Sequence, residues 1–215
     1  MKNKQPVLYL LGIFMLIIWG CKKEDNSKIR NGERYYYYGF EEKIYINKLN
    51  NKLAVKYNDN EAAKKSTSDI ASFAKGAEFL WHNERTVVIT LNPNVVNNVM
   101  TLLTKDNNVI SANPVYILAS GSDSEMFFTD EFAVKFKPTT SPAEIKKIND
   151  RYGVRIIEET DIYTLLTVPR LADALEIANK YQESGLVVYS EPNFYMKIEF
   201  GSTAEYLPKE TFKDL

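Results

Sequence analysis

The chain has 215 residues, of which 45% are hydrophobic and 26% charged, and this balance argues for a packed core and against wholesale disorder. Its formal net charge of −1 leaves no basic excess of the kind that nucleic-acid binding requires. One cysteine excludes an internal disulfide framework, and one histidine, His82, excludes a metal site built from several histidines.

Residues 1–20 have the pattern of a secretory signal peptide. Lys2 and Lys4 provide a basic start, and an apolar run from Val7 to Trp19 follows. The run is shorter than the roughly 20 residues that a transmembrane helix needs. A basic start before a short apolar core is typical of an export signal, so we predict that residues 1–20 are not part of the fold.

The next residues, Ile18, Trp19, Gly20 and Cys21, resemble a bacterial lipobox. Gly20 supplies the small residue before the cysteine, whereas Trp19 and Ile18 depart from the commonest residues at their positions. The resemblance implies that Cys21 carries lipid, including an acyl chain such as palmitate, so the membrane is a predicted partner. An ordinary membrane anchor or a buried free cysteine is the alternative. We expect a lipid-anchored protein of the bacterial cell envelope, on the outer membrane or exposed at the cell surface.

Residues 21–41 are predicted to be a tether. Lys22–Asp25 resembles the lysine-acid signals that direct some lipoproteins to the cell surface, although a solvated spacer explains four charged residues equally well. The tract Tyr35–Tyr38 predicts either an aromatic strip that binds a sugar or a surface, or a strand whose alternate tyrosines pack on the first folded unit. We favour the strand.

Residues 42–119 are predicted to form a first folded unit, and residues 120–126, rich in serine and glycine, a linker after it. A hairpin turn is expected at Leu49-Asn50-Asn51 between two strands. The remaining predicted elements are a helix near Glu61, strands at Ala77–Trp81 and Thr86–Leu91, a helix at Val95–Thr104 and a strand at Ala112–Tyr116.

Residues 127–200 show a clearer pattern. Ser141, Pro142 and Glu144 predict a capped helix start, and Gly153 its end. The other predicted elements are an alternating strand at Phe132–Phe136, a hairpin at Val154–Val168, a helix at Leu171–Ser184 and a long strand at Leu186–Phe200 interrupted at Pro192. The order βαββαβ predicts a ferredoxin-like antiparallel sheet with two helices on one face.

The first unit is predicted to be a degenerate copy of the second. Leu53–Tyr57 matches Phe132–Phe136 at an offset of 79 residues, and Ala112–Tyr116 matches Ser190–Phe194 at an offset of 78. A coincidence of generic strand and helix patterns is the alternative. The predicted fold class is therefore α+β, with two tandem ferredoxin-like units.

Several stretches of the second unit keep a fairly specific order and spacing: Glu131–Phe136, Tyr152–Val154, Ala174–Tyr181, Ser184–Val187 and Tyr189–Phe194. Together they resemble the prodomain of subtilisin-like serine proteases, especially the fervidolysin-type N-terminal prodomain. In that family the sheet of the prodomain packs on two surface helices of the protease, and the C-terminal tail lies in the substrate cleft. The resemblance therefore implies that the partner is a subtilisin-like protease.

The resemblance also implies which residues bind the protease. Glu191 looks like an acid that caps an exposed helix N-terminus, and Asn193 looks like a second capping position. The tail would then add as a strand to a substrate groove through Tyr195, Met196, Ile198 and Phe200. An equally weighted alternative is that Glu191-Pro192-Asn193 is only a turn that bends the last strand. Residues 201–215 are predicted to be a polar C-terminal tail.

No catalytic site is predicted. The sequence contains none of the Asp-Ser/Thr-Gly, His-Gly-Thr or Gly-Thr-Ser-Met motifs that carry the triad of subtilisin-like proteases, and no phosphate loop or zinc motif. His82 is expected to be a surface histidine at a loop or strand end, and the acids Glu158, Glu159 and Asp161 are expected in a hairpin turn. We therefore expect no enzyme activity, no cofactor, no metal and no small-molecule substrate.

The sequence as a whole predicts a non-catalytic, lipid-anchored module that binds a subtilisin-like protease of another chain and inhibits it or assists its folding. A structural or adhesion lipoprotein that binds another surface protein or a glycan is the alternative from a different functional class. A third alternative is a gene remnant whose protease half has been lost or is encoded next to it.

Overall fold

The computed structural model describes residues 35–39, 42–121, 124–200 and 203–208. The predicted signal peptide and Cys21 lie outside the described residues. The strands are β1 (Tyr35–Gly39), β2 (Glu42–Tyr57), β3 (Glu78–Asn83), β4 (Thr86–Thr90), β5 (Val109–Leu118), β6 (Glu125–Phe136), β7 (Arg155–Glu159), β8 (Thr164–Thr167), β9 (Val187–Phe200) and β10 (Thr203–Pro208). The helices are α1 (Asn60–Phe73), α2 (Val96–Lys105), α3 (Pro142–Tyr152) and α4 (Ala174–Glu183).

These elements form an α+β fold around an antiparallel sheet, which confirms the α+β part of the predicted fold class. The strands from β2 to β5, here the first half, lie in the order β5-β2-β4-β3. The strands from β6 to β9, here the second half, lie in the order β9-β6-β8-β7. The two halves repeat one strand arrangement, and a short pairing of β5 with β6 makes them one sheet.

Local capping chemistry sets the helix boundaries in the second half. Ser141 and Glu144 form the predicted capping box, and Gly153 ends α3 in the left-handed conformation with φ 65°. The second helix begins later than predicted, at Ala174, because the Asp173 side chain accepts a hydrogen bond from the Glu176 N–H. The sequence prediction missed this start because Leu171 has the apolar spacing of a helix.

The predicted hairpin turn at Leu49-Asn50-Asn51 is wrong, because β2 runs through it as one strand. The register between β2 and β5 shifts between Lys48 and Leu53. Before the shift, β2 pairs with β1 and with the end of β5, and after it with β4 and β5. Two separate sheet environments along a single strand produced the two apolar runs that the sequence reading took for a hairpin.

The tyrosine tract forms β1, as the favoured reading predicted, but it packs mainly on the second half. Tyr37 is buried, and its ring centroid lies 5.7 Å from those of both Phe128 and Phe194. Next to it, the Tyr36 hydroxyl donates to Glu183 of α4 at 2.7 Å. The hairpin of β1 with the start of β2 therefore packs on the second half.

The predicted interruption at Pro192 is also absent, because β9 is continuous from Val187 to Phe200. Over Val187–Phe194 the only described partner strand of β9 is β6, so the missing N–H of a proline is tolerated. After Phe200 the chain returns, and Thr203–Pro208 of the predicted C-terminal tail pairs with β9 as β10. No helix of the described ranges is long and apolar enough to cross a membrane.

Candidate functional site

The side of the second-half sheet that faces away from the helices is a surface without a covering layer among the described residues. Phe132 and Val134 of β6 and Leu166 of β8 are buried against α3 and α4. The residues that alternate with them point to the other side. We call this side the open face and define it by Ala133, Lys135, Leu165, Tyr189 and Glu191.

Strand register places the five side chains of the open face together. Ala133 lies at the centre, opposite Leu165 on β8 and Glu191 on β9. Tyr189 lies opposite Lys135. Cross-strand partners have their Cβ atoms about 5 Å apart, so these residues form one continuous surface with apolar and charged members.

The turn between β7 and β8 is held beside the open face by two hydrogen bonds. The Tyr189 hydroxyl donates to the Ile162 carbonyl at 3.2 Å, and the Lys135 ammonium donates to the Asp161 carbonyl at 3.4 Å. Burial raises the pKa of Tyr189, and the nearby charge of Glu191 raises it further. The hydroxyl therefore stays protonated at neutral pH and remains a donor.

Exposed apolar side chains continue from this turn onto the adjacent edge strand. Ile162 is 66% exposed, and Ile156 and Ile157 of β7 are about half exposed. Exposed apolar side chains beside charged residues are typical of protein-interaction surfaces. Ile162 therefore extends the open face, whereas Ile156 lies opposite Leu166 and is on the helix side of the sheet.

The structure separates the predicted protease-binding residues into two groups. Glu191 belongs to the open face, and Asn193, two residues further along β9, lies on the same side of the strand and is partly buried. Glu191, Pro192 and Asn193 lie within β9 and do not form a turn. The two proposed capping residues are thus near each other on one surface.

The proposed tail residues belong to the second group, and they lie inside the sheet. Tyr195 and Met196 pair with Phe127 and Met126 of β6 on one side and with residues of β10 on the other. The backbones of Ile198 and Phe200 also pair with β10. In this structure the segment from Tyr195 to Phe200 is a strand of this chain's own sheet.

The corresponding side of the first half is covered by this same hairpin of β9 and β10. Ala54, Val88 and Val115 point away from α1 and α2, and Phe127 and Tyr206 pack over them. Tyr206 is 1% exposed, and its ring centroid lies 5.1 Å from that of Phe127. The central strands of the first half are therefore covered on this side at Ala54, Val88 and Val115, whereas Leu80 of the edge strand β3 is 38% exposed.

A polar network fixes Tyr206 in place. Its hydroxyl donates to Glu125 Oε2 at 2.7 Å, and the Lys52 ammonium donates to Glu125 Oε1 at 2.5 Å. Burial raises the pKa of Tyr206 far above its ordinary value, and the hydrogen bond to Glu125 acts in the same direction. The phenol is thus a permanent donor that links β10 to β6 and, through Glu125, to β2.

His82 lies near the end of β3, in contact with the second half. Its ring centroid is 4.0 Å from that of Tyr195 and 6.2 Å from that of Phe127. The expectation of a histidine at a strand end is right, but the aromatic contact was not anticipated. Within the described ranges, no group of three or more His, Cys, Asp and Glu side chains is arranged to hold a metal ion.

Sequence reasoning missed the difference between the covered and the open side, although a signal for it exists. Leu53-Ala54-Val55 and Val87-Val88-Ile89 are continuous apolar runs, which are typical of strands buried on both faces. In Phe132-Ala133-Val134-Lys135, large apolar residues instead alternate with a small and a charged residue, which is typical of a strand with one solvated face.

Residues 117–193 match the family model of the Fervidolysin N-terminal prodomain. The match spans about a third of the chain and covers most of the second half, from the end of β5 into β9. It confirms the resemblance of this region to a subtilase-type prodomain. No curated protein matches the chain.

Proposed function

We propose that the second half is a prodomain-like module that binds a subtilisin-like serine protease of another chain through its open face, and inhibits the protease or assists its folding. The observation that supports this proposal is that the prodomain match and the uncovered side of the sheet lie in the same half. The segment that matches the prodomain family is the half whose sheet has an uncovered side.

The proposal includes a fold assignment for both halves. We infer that each half is a ferredoxin-like unit, with the first a diverged copy of the second. The shared element order and the equivalent strand orders β5-β2-β4-β3 and β9-β6-β8-β7 support this inference. If the unit was duplicated and the non-helix side of the first copy was then covered, the open face of the second copy would be the one surface left for the protease.

Binding would combine apolar contact with capping of helix ends. Leu165, Ala133 and the exposed Ile162 provide apolar surface that a partner would remove from water, at about 25 cal/mol for each Å². Glu191 and Asn193 would accept hydrogen bonds from the free N–H groups at helix N-termini of the protease. The chain would act stoichiometrically and without turnover.

The hairpin of β9 and β10 constrains how such a module would inhibit. Tyr195 and Met196 can enter a substrate groove only if the pairing of β9 with β10 opens, because both edges of this segment are already used. Contact through the open face alone would hold the protease or its folding intermediate and leave the groove unblocked. Binding is therefore the primary expected activity, with inhibition depending on release of β10.

A titration tests this proposal with proteases whose catalytic serine has been replaced by alanine, so that the chain is not digested. The purified chain should bind at least one subtilisin-like member of a panel with one-to-one stoichiometry. Glu191→Arg should weaken binding by about tenfold or more, because it places a positive charge against a helix N-terminus. A matched control is Glu78→Arg on the edge strand β3 of the first half, which should bind like the parent chain.

Two results would overturn the proposal. The first is an absence of binding across the panel, and the second is equal binding by the Glu191→Arg and Glu78→Arg variants. Capture of a different envelope protein or of a glycan by the open face would support the adhesion alternative instead.

We further propose that Cys21 anchors the chain to a bacterial envelope membrane, with the outer membrane or the cell surface as its location. The support is the lipobox-like sequence that ends at the chain's one cysteine. Metabolic labelling with a palmitate analogue tests it, since the parent chain should incorporate label and Cys21→Ser should not. Equal labelling of both chains, or of neither, would contradict the anchor.

A further inference from the structure

A cavity of about 430 Å³ lies between the two halves, next to the open face, because Glu131 of its lining is on the same side of β6 as Ala133. Its walls come from β2, β5 and the turn between β3 and β4 in the first half, and from β6 and β9 in the second. Asn83, Glu84 and Arg85 form its exposed rim. This volume lies in the range of small-ligand sites, which often occur at the junction of two structural units.

The floor of the cavity is a row of polar side chains across three strands. Lys56 lies opposite Thr86 on β4 and opposite Ser111 on β5, so the three side chains project from one side of the sheet. Thr86 and Ser111 are buried and line the cavity. Their hydroxyls can accept hydrogen bonds from a ligand's N–H groups.

The charges around Lys56 leave an excess of negative charge. Its ammonium lies 2.6 Å from Asp130 Oδ1 and 3.6 Å from Glu131 Oε1. One positive group between two carboxylates leaves one negative charge, and Glu131 lines the cavity with 29% of its side chain exposed. At the rim, Glu84 and Arg85 cancel each other, and the Arg85 guanidinium donates to the Asn58 carbonyl at 3.2 Å.

Two aromatic rings complete the wall beside this carboxylate pair. Phe127 and Tyr195 stack with their centroids 5.3 Å apart, and both line the cavity. The two rings give the cavity an apolar wall on which the methylene groups of a long cationic side chain can pack. The charge of Glu131 would disfavour an anionic ligand, and a neutral ligand could form a hydrogen bond with it but no ion pair.

We propose that this cavity binds the cationic side chain of an arginine or lysine in an extended peptide segment of a partner. Glu131 supplies the ionic contact, Tyr195 and Phe127 the aromatic wall, and Thr86 and Ser111 the hydrogen-bonding floor. None of the five residues that define the open face lines this cavity, so the two sites can be tested separately.

The test uses short blocked peptides as probes, titrated into the purified chain and followed calorimetrically. Acetyl-Gly-Arg-Gly-amide or its lysine counterpart should bind, and the isosteric uncharged peptide acetyl-Gly-Gln-Gly-amide should bind at least about tenfold more weakly. Raising the salt concentration should weaken binding of the charged peptide.

Glu131→Gln keeps the shape of the side chain and removes its charge, so it should weaken binding of the charged peptides by about tenfold. Glu158→Gln, on the exposed strand β7, is the matched control and should bind like the parent chain. If both variants unfold at the same midpoint temperature as the parent chain, the fold is retained.

Equal affinity for the arginine and glutamine peptides, or an unchanged affinity in Glu131→Gln, would overturn the proposal. No protease is present in this experiment, so its failure leaves the protease-binding proposal untouched.

Discussion

The two halves of the sheet share one strand arrangement and differ in what covers the side opposite their helices. In the first half, Phe127 and Tyr206 cover this side and bury Ala54 and Val88. In the second half, the equivalent side carries Ala133, Leu165 and Glu191 and has no covering layer among the described residues. The same strand arrangement thus has central strands covered on both sides in one half, and on the helix side only in the other.

The side opposite the helices is covered in the first half because each half contributes a hairpin that packs on the other. The hairpin of β1 and the start of β2 packs on the second half through Tyr37. The hairpin of β9 and β10 packs on the first half through Tyr206. Because each half completes the core of the other, we expect the described residues to unfold as one cooperative unit.

The largest expected effect comes from removing the cover of the first half. Tyr206→Ala should lower the free energy of unfolding by about 3–5 kcal/mol, because it deletes a fully buried aromatic side chain. Chemical denaturation followed by circular dichroism measures the change. The matched control, Tyr189→Ala on the open face, should cost about 1 kcal/mol, the value of its one hydrogen bond. Similar losses in both variants would show that the two sides are equally buried.

An alkaline titration tests the burial of tyrosine in the first half. Burial raises the pKa of Tyr57 to about 12, so the folded state holds this proton more tightly than the unfolded state does. Its contribution to stability is complete below pH 10 and is lost as the pH rises from 10 to 12, by about 1.4 kcal/mol for each pH unit.

Tyr57→Phe should therefore flatten the fall of unfolding free energy with pH in this window, even though the variant lacks the 3.1 Å hydrogen bond to Ser66. Tyr189→Phe serves as the comparison on the open face and should change the slope less. Identical slopes in the parent chain and in Tyr57→Phe would contradict the assigned burial.

A smaller loss of unfolding free energy is expected when the hydrogen bond between Tyr206 and Glu125 is removed. Glu125→Ala leaves the Tyr206 hydroxyl and the Lys52 ammonium without their shared acceptor. We expect a loss of about 2 kcal/mol, within the usual cost of leaving buried donors unsatisfied. If the double variant Glu125→Ala, Tyr206→Phe lost the full sum of the two single effects, the hydrogen bond would carry no coupling energy.

The smallest effect on stability is expected on the open face itself. Leu165→Ser should change the free energy of unfolding by no more than about 1 kcal/mol, since the side chain is only partly buried before a partner binds. The same variant should weaken binding to the inactive protease by about tenfold or more. A large loss of stability would mean that another part of this chain covers Leu165.

The local chemistry of the second half was predictable from sequence, whereas the long-range packing was not. Ser141, Glu144 and Gly153 predict the two ends of α3, because helix capping depends on residues that are close in sequence. The continuity of β2 through Asn50 and Asn51 was not predictable, because the strand is stabilised by partners far along the chain. Local turn propensity was overridden by pairing with β1, β4 and β5.

The candidate site shows the same division. The place of Glu191 and Asn193 near the end of the unit follows from order and spacing, and the structure places both on one side of β9. The tail residues Tyr195 and Met196 were expected to be available to a partner. Their pairing with β10 depends on residues 203–208, whose composition gives little sign of a strand.

We expect a subtilisin-like protease to dock on the open face of the second half rather than on the first half. Hydrogen–deuterium exchange of the chain with and without a bound, serine-inactivated protease tests it directly. Exchange should slow in β6, β8 and β9 around Ala133, Leu165 and Glu191, and should stay unchanged in β2 and β4. Protection confined to the first half, or none in the presence of saturating protease, would contradict it.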